Sequence, residues 1–352
     1  INMALILKNI VKNFGKICAV DNISFEVENG EFLTLLGPSG CGKTTILRII
    51  AGLENLTSGQ VFLDGTDISH ESPTKRDVSI MFQDYALFPH MSITENVAYG
   101  LRMRGVSKVE RSKLSNKWLE TMQLSGFGNR LPSELSGGQK QRAALARALI
   151  TSPKILLLDE PLSALDANLR VRLREELRKI HSKIGTTFIC VTHDQEEAMA
   201  LSDRIAILKE GKVEQMGSPN ELYDEPKTEF VAEFFGKCAL WPLNKKDGNT
   251  LLAGTDMECN IRNGFSLGKS KAVIRPEFLK IFAKGKKTQN SINAKVLDVL
   301  SKGSNNQVTI EFENGLILDL QVPRSQKLPP LSSYVQIKML TTNLHSITSQ
   351  LN

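Results

Sequence analysis

The stretch GPSGCGKTT, residues 37–45, decides the fold of this chain. It matches the pattern GxxxxGK followed by Thr, and it stands between an apolar run at residues 31–36, predicted to be a strand, and a segment predicted to be a helix. In this context the glycines let backbone N–H groups turn inward around phosphate groups, and the helix dipole favours an anion at the same place. The stretch therefore predicts a phosphate-binding loop that joins a strand to a helix.

The side chains of this loop have distinct expected roles. Lys43 should bridge the β- and γ-phosphates of a nucleotide, Thr44 should ligate Mg²⁺, and Thr45 offers a further hydroxyl to phosphate. Cys41 is interpreted as a small filler of the loop, and a redox role is the less favoured alternative. The residues of this loop predicted to bind nucleotide are Gly37, Pro38, Ser39, Gly40, Cys41, Gly42, Lys43, Thr44 and Thr45.

Two adjacent acids follow a second apolar run, at residues 155–158. A strand that ends in a carboxylate would place Asp159 at the sheet edge, beside a Mg²⁺ ion bound to phosphates. Glu160, one residue further on, is placed to polarise an attacking water as general base. Two acids after a strand can also be a solvated strand end, but the phosphate loop favours the catalytic interpretation.

Two more polar residues follow predicted strands. His193 comes after the strand predicted at residues 187–192, which should deliver it to the same sheet edge as Asp159. We therefore favour a hydrogen bond from His193 to the γ-phosphate over a structural or solvated histidine. Gln83 follows the strand predicted at residues 78–82, and it offers an uncharged ligand to Mg²⁺ or to the water. Alone, a glutamine at a strand end would mean little.

The stretch LSGGQKQR, residues 135–142, has the form of a second anion site. Ser136 and the N–H groups of Gly137 and Gly138 precede a helix predicted over residues 139–149, where the helix dipole again favours an anion. The simpler interpretation is a capped helix with two flexible residues. That interpretation leaves unexplained why a chain with a complete phosphate loop should carry a second such site.

The composition is that of a soluble globular protein large enough for two domains. No run approaches the roughly 18 apolar residues needed to cross a bilayer. Five scattered cysteines without CxxC spacing argue against a disulfide framework or a zinc site, and they favour a reducing cytoplasm. The net charge of +6 is uneven, because residues 237–352 contain 16 Lys and Arg against 8 Asp and Glu. This region could favour nucleic acid or an anionic membrane, but its dispersed lysines are more simply a solvated face.

The pattern of apolar residues changes along the chain. Short apolar strands alternate with amphipathic helices up to about residue 235, which predicts an α/β domain. Beyond it, short β-like runs separated by Gly, Asn, Lys and Pro predict a small all-β barrel. We therefore predict an α/β P-loop NTPase domain at residues 1–236, with a helical subdomain at about residues 90–150, and an OB-like β-barrel domain at residues 237–352.

Six ordered motifs resemble those of the nucleotide-binding subunits of ATP-binding cassette (ABC) transporters. The resemblance implies an ATPase with ATP and Mg²⁺ as cofactors, which works as a head-to-tail homodimer with two ATP molecules between the subunits. It implies that Ser136, Gly137, Gly138 and Gln139 close in trans on the γ-phosphate held by the partner subunit's Lys43.

It also implies that Ser163 and Asp166 couple the two sites, and that Phe14 stacks on adenine, although a Phe in an N-terminal strand is often part of the core. The motifs lie at residues 37–45, 83, 135–139, 155–160, 163–166 and 193.

The C-terminal third narrows this resemblance. The stretch VIRPE, residues 273–277, resembles part of the TOBE-type barrel of importer ATPases. Residues 29–37, 85–91 and 194–199 resemble the polyamine, ferric-iron and phosphonate branches, which the sequence does not separate. The resemblance implies an ATPase subunit of an importer, bound peripherally at the cytoplasmic face of the bacterial inner membrane and served indirectly by a solute-binding protein.

An importer ATPase without membrane spans must act on separate membrane subunits. The apolar residues after Gln83 are the expected docking point for two transmembrane permease subunits, and simple core packing is the alternative. These residues are Tyr85, Leu87, Phe88, Pro89 and Met91, within residues 85–91.

The rival hypothesis is a soluble ABC ATPase that acts on nucleic acid or ribosomes. The basic C-terminal region supports it, whereas the single cassette, with no coiled-coil or zinc insertion, argues against it. A purely regulatory nucleotide-binding module is disfavoured because Glu160 and His193 are both present. We therefore expect no nucleic-acid partner.

Overall fold

The computed structural model describes residues 3–163, 166–263, 266, 269–282 and 291–348. The chain divides into two compact units, Ile1–Pro219 and Asn220–Asn352. This division lies before the boundary predicted after residue 236. The reason is local: the buried Arg275 of the second unit donates hydrogen bonds to the carbonyl oxygens of Tyr223, Ala232 and Gly236, at 3.0, 2.8 and 3.2 Å.

The first unit alternates strands and helices, as the sequence predicts. Its elements are β1 (Met3–Phe14), β2 (Ile17–Glu28), β3 (Phe32–Leu36), α1 (Lys43–Ala51), β4 (Ser58–Leu63), β5 (Thr66–Asp67), β6 (Val78–Met81), α2 (Ile93–Met103), α3 (Lys108–Thr121), α4 (Gly137–Leu149), β7 (Ile155–Asp159), α5 (Ala167–Ile184), β8 (Thr187–Thr192), α6 (Gln195–Leu201), β9 (Arg204–Lys209) and β10 (Lys212–Gly217).

A six-stranded sheet forms the centre of the first unit, in the order β10-β9-β3-β8-β7-β6. All neighbours pair in parallel except β10, which is antiparallel to β9. Its strands are covered on both faces, because Ile155 and Leu157 pack into one apolar cluster and Leu156 and Leu158 into another. Burial of both faces explains why β7 reads as an unbroken apolar run. An antiparallel sheet in the order β2-β1-β4-β5 completes the unit.

The parallel arrangement determines where the polar motifs meet. The carboxyl ends of β3, β6, β7 and β8 lie at one edge of the sheet, which is the edge where ligands bind in open α/β sheets. The phosphate loop, Gln83, Glu160 and His193 each follow one of these four strands. The fold therefore gathers the predicted chemistry along one line.

The second unit is built mainly from antiparallel strands, which confirms the predicted all-β architecture. Its elements are α7 (Pro219–Asp224), α8 (Glu229–Phe234), β11 (Ala239–Lys246), β12 (Asn249–Leu252), β13 (Asn260–Ile261), β14 (Ser270–Ile274), β15 (Leu279–Phe282), β16 (Ser291–Lys302), β17 (Asn305–Phe312), β18 (Ile317–Pro323), β19 (Tyr334–Met339) and β20 (Asn343–Thr348).

Two five-stranded sheets enclose the core of the second unit. Their orders are β12-β11-β14-β20-β13 and β15-β19-β16-β17-β18. Strand β17 alternates between buried and half-buried residues, as expected for a strand with one face against a core. Trp241 is buried at the centre, with its ring centroid 4.8 Å from that of Phe312. Within the described part of both units, no helix has the length and apolar character needed to span a membrane.

Candidate active site

The phosphate loop encloses its own lysine. Lys43 is buried, and its Nζ donates hydrogen bonds to the carbonyl oxygens of Gly37 and Pro38 at 2.7 and 2.8 Å. The Sγ of Cys41 lies 3.7 Å from the same nitrogen and is also buried, in agreement with its interpretation as a filler. Pro38, Ser39 and Gly40 form the exposed outer part of the loop.

The junction between this loop and α1 requires glycine. Gly42 has φ +100°, and a Cβ atom added there would lie 2.4 Å from the carbonyl oxygen of Ala19. Helix α1 begins at Lys43 without a side-chain cap. The first-turn N–H groups, near Thr44 and Thr45, therefore have no side-chain acceptor competing with a bound anion.

Glu160 is the centre of a hydrogen-bonded cluster at the sheet edge. Its Oε1 lies 3.1 Å from Nδ1 of His193, and its Oε2 accepts a hydrogen bond of 3.3 Å from Nε2 of Gln83. The structure thus brings together the three residues predicted to be catalytic. The backbone of Glu160 is in the left-handed region, with φ +46°, which is a strained conformation for a residue with a side chain. The contacts of Glu160 with Gln83 and His193 were not predicted from the sequence.

Ser163 belongs to the same cluster, whereas Asp166 has a separate position. The Oγ of Ser163 donates to the carbonyl oxygen of Glu160 at 3.0 Å and accepts from Gln83 Nε2 at 3.2 Å. Asp166 caps helix α5, because its carboxylate accepts a hydrogen bond of 3.0 Å from the N–H of Leu169. The two intervening residues of this motif, 164 and 165, lie outside the described residues.

Asp159 is the last residue of β7 and carries a perturbed carboxyl group. Burial raises its pKa, the positive charge of Arg48 opposes that effect, and the charge of Glu160 reinforces it. Among the described residues, no group of three or more His, Cys, Asp or Glu could by itself hold a metal ion. The predicted Mg²⁺ ligands Thr44, Gln83 and Asp159 offer a hydroxyl, an amide oxygen and one carboxylate, which suits a hard cation that also binds phosphates and water.

The turn that presents His193 is fixed by a buried carboxyl group. Thr192 donates a hydrogen bond of 2.8 Å to Oε2 of Glu197 and accepts one of 3.0 Å from the N–H of Asp194. Glu197 is buried, which raises its pKa to about 7. No pattern in a single sequence identifies this support, because its members look like ordinary helix-start residues.

Ser136 forms a capping box at the start of α4. The Oε1 of Gln139 accepts a hydrogen bond of 2.9 Å from the N–H of Ser136, and the Oγ of Ser136 accepts a longer one of 3.4 Å from the N–H of Gln139. The helix begins at Gly137, two residues earlier than predicted. Gly138 is buried, and an added Cβ would lie 3.3 Å from a methyl group of Leu173 in α5. Ser136 itself is exposed.

Phe14 is an exposed residue, not a core residue. Its side chain is 47% exposed at the end of β1, and Nζ of Lys12 lies 4.7 Å from the ring centroid. Lys12 is held there by Glu54, through an ion pair of 2.7 Å. An exposed aromatic ring with an open face is available for stacking on a base.

Core packing accounts for part of the predicted docking cluster. Tyr85 and Leu87 pack into the apolar cluster that also contains parts of α2, α3 and α4. Pro89 is exposed, and Phe88 and Met91 are half-buried. The ring of Phe88 lies 4.5 Å from that of Tyr99 on α2.

Asn96 organises the same segment, and sequence reasoning did not single it out. It is fully buried, and its side chain binds the backbone of Phe88, Met91 and Ser92 through hydrogen bonds of 2.8–3.1 Å. A buried asparagine on a helix has no distinctive pattern in one sequence, so its role becomes visible only in the folded chain.

The fold and the site together define an ATPase of the P-loop class. The chain belongs to the ABC transporter family, in the group of import ATP-binding proteins with a TOBE domain. Residues 20–163 match the family model described as "ABC transporter", and residues 272–334 match the one described as "TOBE domain". This membership confirms the family predicted from the six motifs and favours transport over a nucleic-acid function.

Three similar proteins are import ATP-binding proteins. The chain is 47% identical over 290 residues to the Fe(3+) ions import ATP-binding protein of Haemophilus influenzae, covering 82% of this chain and 88% of the relative. It is 43% identical over 330 residues to the spermidine/putrescine import ATP-binding protein of Roseobacter denitrificans, covering 92% and 91%. The Fe(3+) ions import ATP-binding protein of Escherichia coli is 42% identical over 333 residues, with 95% and 94% covered.

A solved structure resembles about three fifths of the chain. It is the dimeric post-hydrolysis state of an ATP-binding cassette bound to ADP and Pi. The TM-score is 0.54 and the sequence identity 35%, and the match covers 61% of this chain and 98% of that one. The resemblance confirms the cassette fold of the first unit.

Proposed function

We propose that this chain hydrolyses ATP at two composite sites of a head-to-tail homodimer, and that this cycle drives the uptake of ferric iron or a polyamine. The observation that carries the proposal is the cluster of Gln83, Glu160 and His193 at the sheet edge that also bears the phosphate loop. Both candidate solutes are those of the relatives described above. Phosphonate, the third solute expected from the sequence, has no counterpart among those three relatives.

Glu160 acts as general base in this proposal. Its carboxylate accepts the proton of the water that attacks the γ-phosphate, while Lys43 offsets the charge of the β- and γ-phosphates. Gln83 and His193 each contact one carboxylate oxygen, so the two residues hold the base in one orientation. Fixing the base in advance saves the entropy of orienting it during the reaction.

Thr44, Gln83 and Asp159 hold Mg²⁺ in the same proposal. The ion neutralises part of the phosphate charge when it is bound. Burial raises the pKa of Asp159, and a cation beside the carboxylate would favour the charged form again. Adenine stacks on the open face of Phe14, which the exposed position of this ring allows.

Ser136, Gly137, Gly138 and Gln139 complete the site of the partner subunit. The support is the exposed Ser136 at the N-terminus of a helix, where N–H groups of the first turn can face an anion from outside the chain. Ser163 and Asp166 couple the two sites, since Ser163 contacts both Glu160 and Gln83. The dimeric state of the similar cassette structure agrees with this assembly.

Two permease subunits dock beside α2. Next to the half-buried Phe88 and Met91 lies a cleft of about 450 Å³, whose lining includes Met91, Tyr99, Arg102 and Arg111. Its lining combines apolar side chains, such as Met91 and Ala98, with more basic than acidic ones, and this mixture suits a short amphipathic helix from a membrane protein. Through these subunits the chain lies at the cytoplasmic face of the bacterial inner membrane, with a solute-binding protein as an indirect partner.

Replacing Glu160 by Gln tests the catalytic assignment. The amide keeps the size of the side chain but cannot accept the proton, so kcat should fall at least about 100-fold. ATP binding should remain, and the variant should accumulate as an ATP-bound dimer. Phosphate release measures the rate, and size-exclusion chromatography with Mg²⁺ and ATP measures the dimer.

The exposed Glu120 on α3 supplies a matched control. Glu120→Gln makes the same chemical change away from the site, and its rate should equal that of the parent chain. Hydrolysis by Glu160→Gln at the parent rate would show that the general base is another group.

Purifying the membrane subunits that bind this chain makes it possible to test which solute is transported. Membrane subunits that bind this chain, reconstituted with their solute-binding protein, should show ATP hydrolysis that rises severalfold with Fe³⁺ or with spermidine and putrescine. Stimulation by DNA or RNA, together with no response to either solute class, would reverse the choice of a transport function.

A further inference from the structure

The segment after Gln83 contains two consecutive residues in the left-handed region. Tyr85 has φ +63° and Ala86 has φ +44°, and neither is glycine. A Cβ atom is crowded in this conformation, so such residues persist only where their surroundings hold them in place. Two in succession form a strained turn immediately beside a proposed catalytic residue.

Arg147 of helix α4 donates hydrogen bonds to the backbone of this turn. Its Nη1 donates a hydrogen bond of 2.7 Å to the carbonyl oxygen of Ala86, and its Nη2 donates one of 2.9 Å to that of Tyr85. The planar guanidinium group therefore binds two successive carbonyl groups through two nitrogens held in a rigid fork, a geometry that the single ammonium nitrogen of a lysine lacks. The guanidinium carbon also lies 5.5 Å from the ring centroid of Phe88.

The position of Arg147 joins three parts of the first unit. It lies on α4, which begins at the candidate trans-acting residues around Ser136, about 16 Å away along a rigid helix. The turn bound by Arg147 starts at Tyr85, two residues after Gln83. The side-chain amide of Gln83 donates a hydrogen bond of 3.3 Å to Glu160. A movement of α4 or of Phe88 would therefore displace the turn next to Gln83 through the side chain of Arg147.

We propose that Arg147 is a positioning residue, which holds the turn at Tyr85 and Ala86 in its left-handed form and thereby sets Gln83 against Glu160. This inference rests on the proposed function, because it takes Glu160 as the general base. Helix α4 and Gln83 then move together, so that closure of α4 on a partner subunit is transmitted to Glu160.

A general stabilising role for Arg147 predicts something different. If the arginine only tied α4 to the rest of the unit, relieving the strain of the turn would not replace it. If the arginine holds the turn, a glycine at position 86 should replace it in part, since glycine adopts positive φ without crowding.

The test is a double-mutant cycle with Arg147→Lys and Ala86→Gly. Arg147→Lys should lower kcat for ATP about tenfold, equivalent to about 1.4 kcal/mol, with KM for ATP within about twofold of the parent. The rate gain from Ala86→Gly should be several times larger in the Arg147→Lys chain than in the parent chain. Arg104→Lys is the control, because Arg104 donates a single hydrogen bond to one carbonyl oxygen, that of Thr151 at 3.0 Å. It should keep the parent rate.

Either of two results would overturn the proposal: an unchanged kcat in Arg147→Lys, or a double variant as slow as Arg147→Lys itself. If Arg147→Lys does not fold, Ala86→Val gives the answer with Arg147 intact. A β-branched residue at φ +44° increases the strain, so kcat should fall with KM for ATP unchanged, and an unchanged kcat would again reject the role. Failure of the proposed function is seen separately, as full activity in Glu160→Gln.

Discussion

Helices α1 and α4 both begin at candidate anion sites, and they begin in different ways. Helix α1 follows Gly42 in the left-handed region and has no side-chain cap. Helix α4 follows Ser136, whose hydroxyl and backbone already bond to Gln139 in a capping box. The first leaves its N–H groups to a ligand, whereas the second satisfies two of its polar groups internally.

The surroundings of the two helix starts differ as well. The loop before α1 folds around the buried Lys43, so this site is assembled within one chain. Ser136 is exposed, and no hydrogen bond between described residues links it to the phosphate loop of its own chain. The two helix starts therefore differ in accessibility: the loop before α1 surrounds a buried lysine of its own chain, whereas Ser136 at the start of α4 is open to solvent.

The largest expected effect separates these two sites. Lys43→Ala should abolish nucleotide binding, because it removes the positive charge that offsets the negative charge of the phosphates. Ser136→Arg should also abolish hydrolysis, yet the isolated subunit should bind nucleotide as the parent does. Fluorescent-nucleotide titration measures the first property, and phosphate release measures the second.

Mixing the two inactive variants sharpens the result. In a composite-site dimer, each mixed pair contains one intact site, formed by Lys43 of one subunit and the partner subunit's Ser136. An equal mixture should therefore recover about a quarter of the parent activity if the sites act independently. Recovery near a quarter would support the shared site, whereas mixed dimers that bind nucleotide and stay inactive would show that one intact site is not sufficient for hydrolysis.

The sequence indicated which polar residues of the first unit lie together at the sheet edge, for a physical reason. Parallel strands such as β7 and β8 are buried on both faces, so each stands out as an apolar run whose end is visible. A polar residue directly after such a run, like Glu160 or His193, must lie at the shared edge. Strand ends and glycine-rich turns are local properties, which a single sequence records.

Contacts across the sheet edge are not local, and the sequence could not show them. The bond between Gln83 and Glu160 joins residues 77 positions apart, and that between Arg147 and Tyr85 joins residues 62 apart. Each depends on a backbone turn at positive φ. The residue types at these turns, Tyr85, Ala86 and Glu160, do not predict this conformation. The second unit shows the same limit, since Arg275 places residues 223–236 with the barrel although their sequence continues the helical pattern.

Matched glycine substitutions at the starts of α1 and α4 test whether the backbone at each place requires glycine, and their expected effect is smaller. Gly42→Ala should destabilise the first unit by about 2 kcal/mol or more, because positive φ and a Cβ contact of 2.4 Å with a backbone oxygen both oppose the new methyl group. The expected drop in the thermal midpoint should be accompanied by loss of nucleotide binding. Scanning calorimetry without nucleotide measures the stability of each variant.

Gly138→Ala is the matched partner of that change, and it should stay within about 1 kcal/mol of the parent. Gly138 lies in the first turn of α4, where alanine is the better helix former. Its new Cβ would meet only a methyl group of Leu173 at 3.3 Å, which a small side-chain shift can relieve. If both variants lost the same stability, the glycines of the two sites would serve one common purpose. A loss confined to Gly42→Ala would mean that the backbone requires glycine before α1, whereas the stability of α4 does not depend on glycine at position 138.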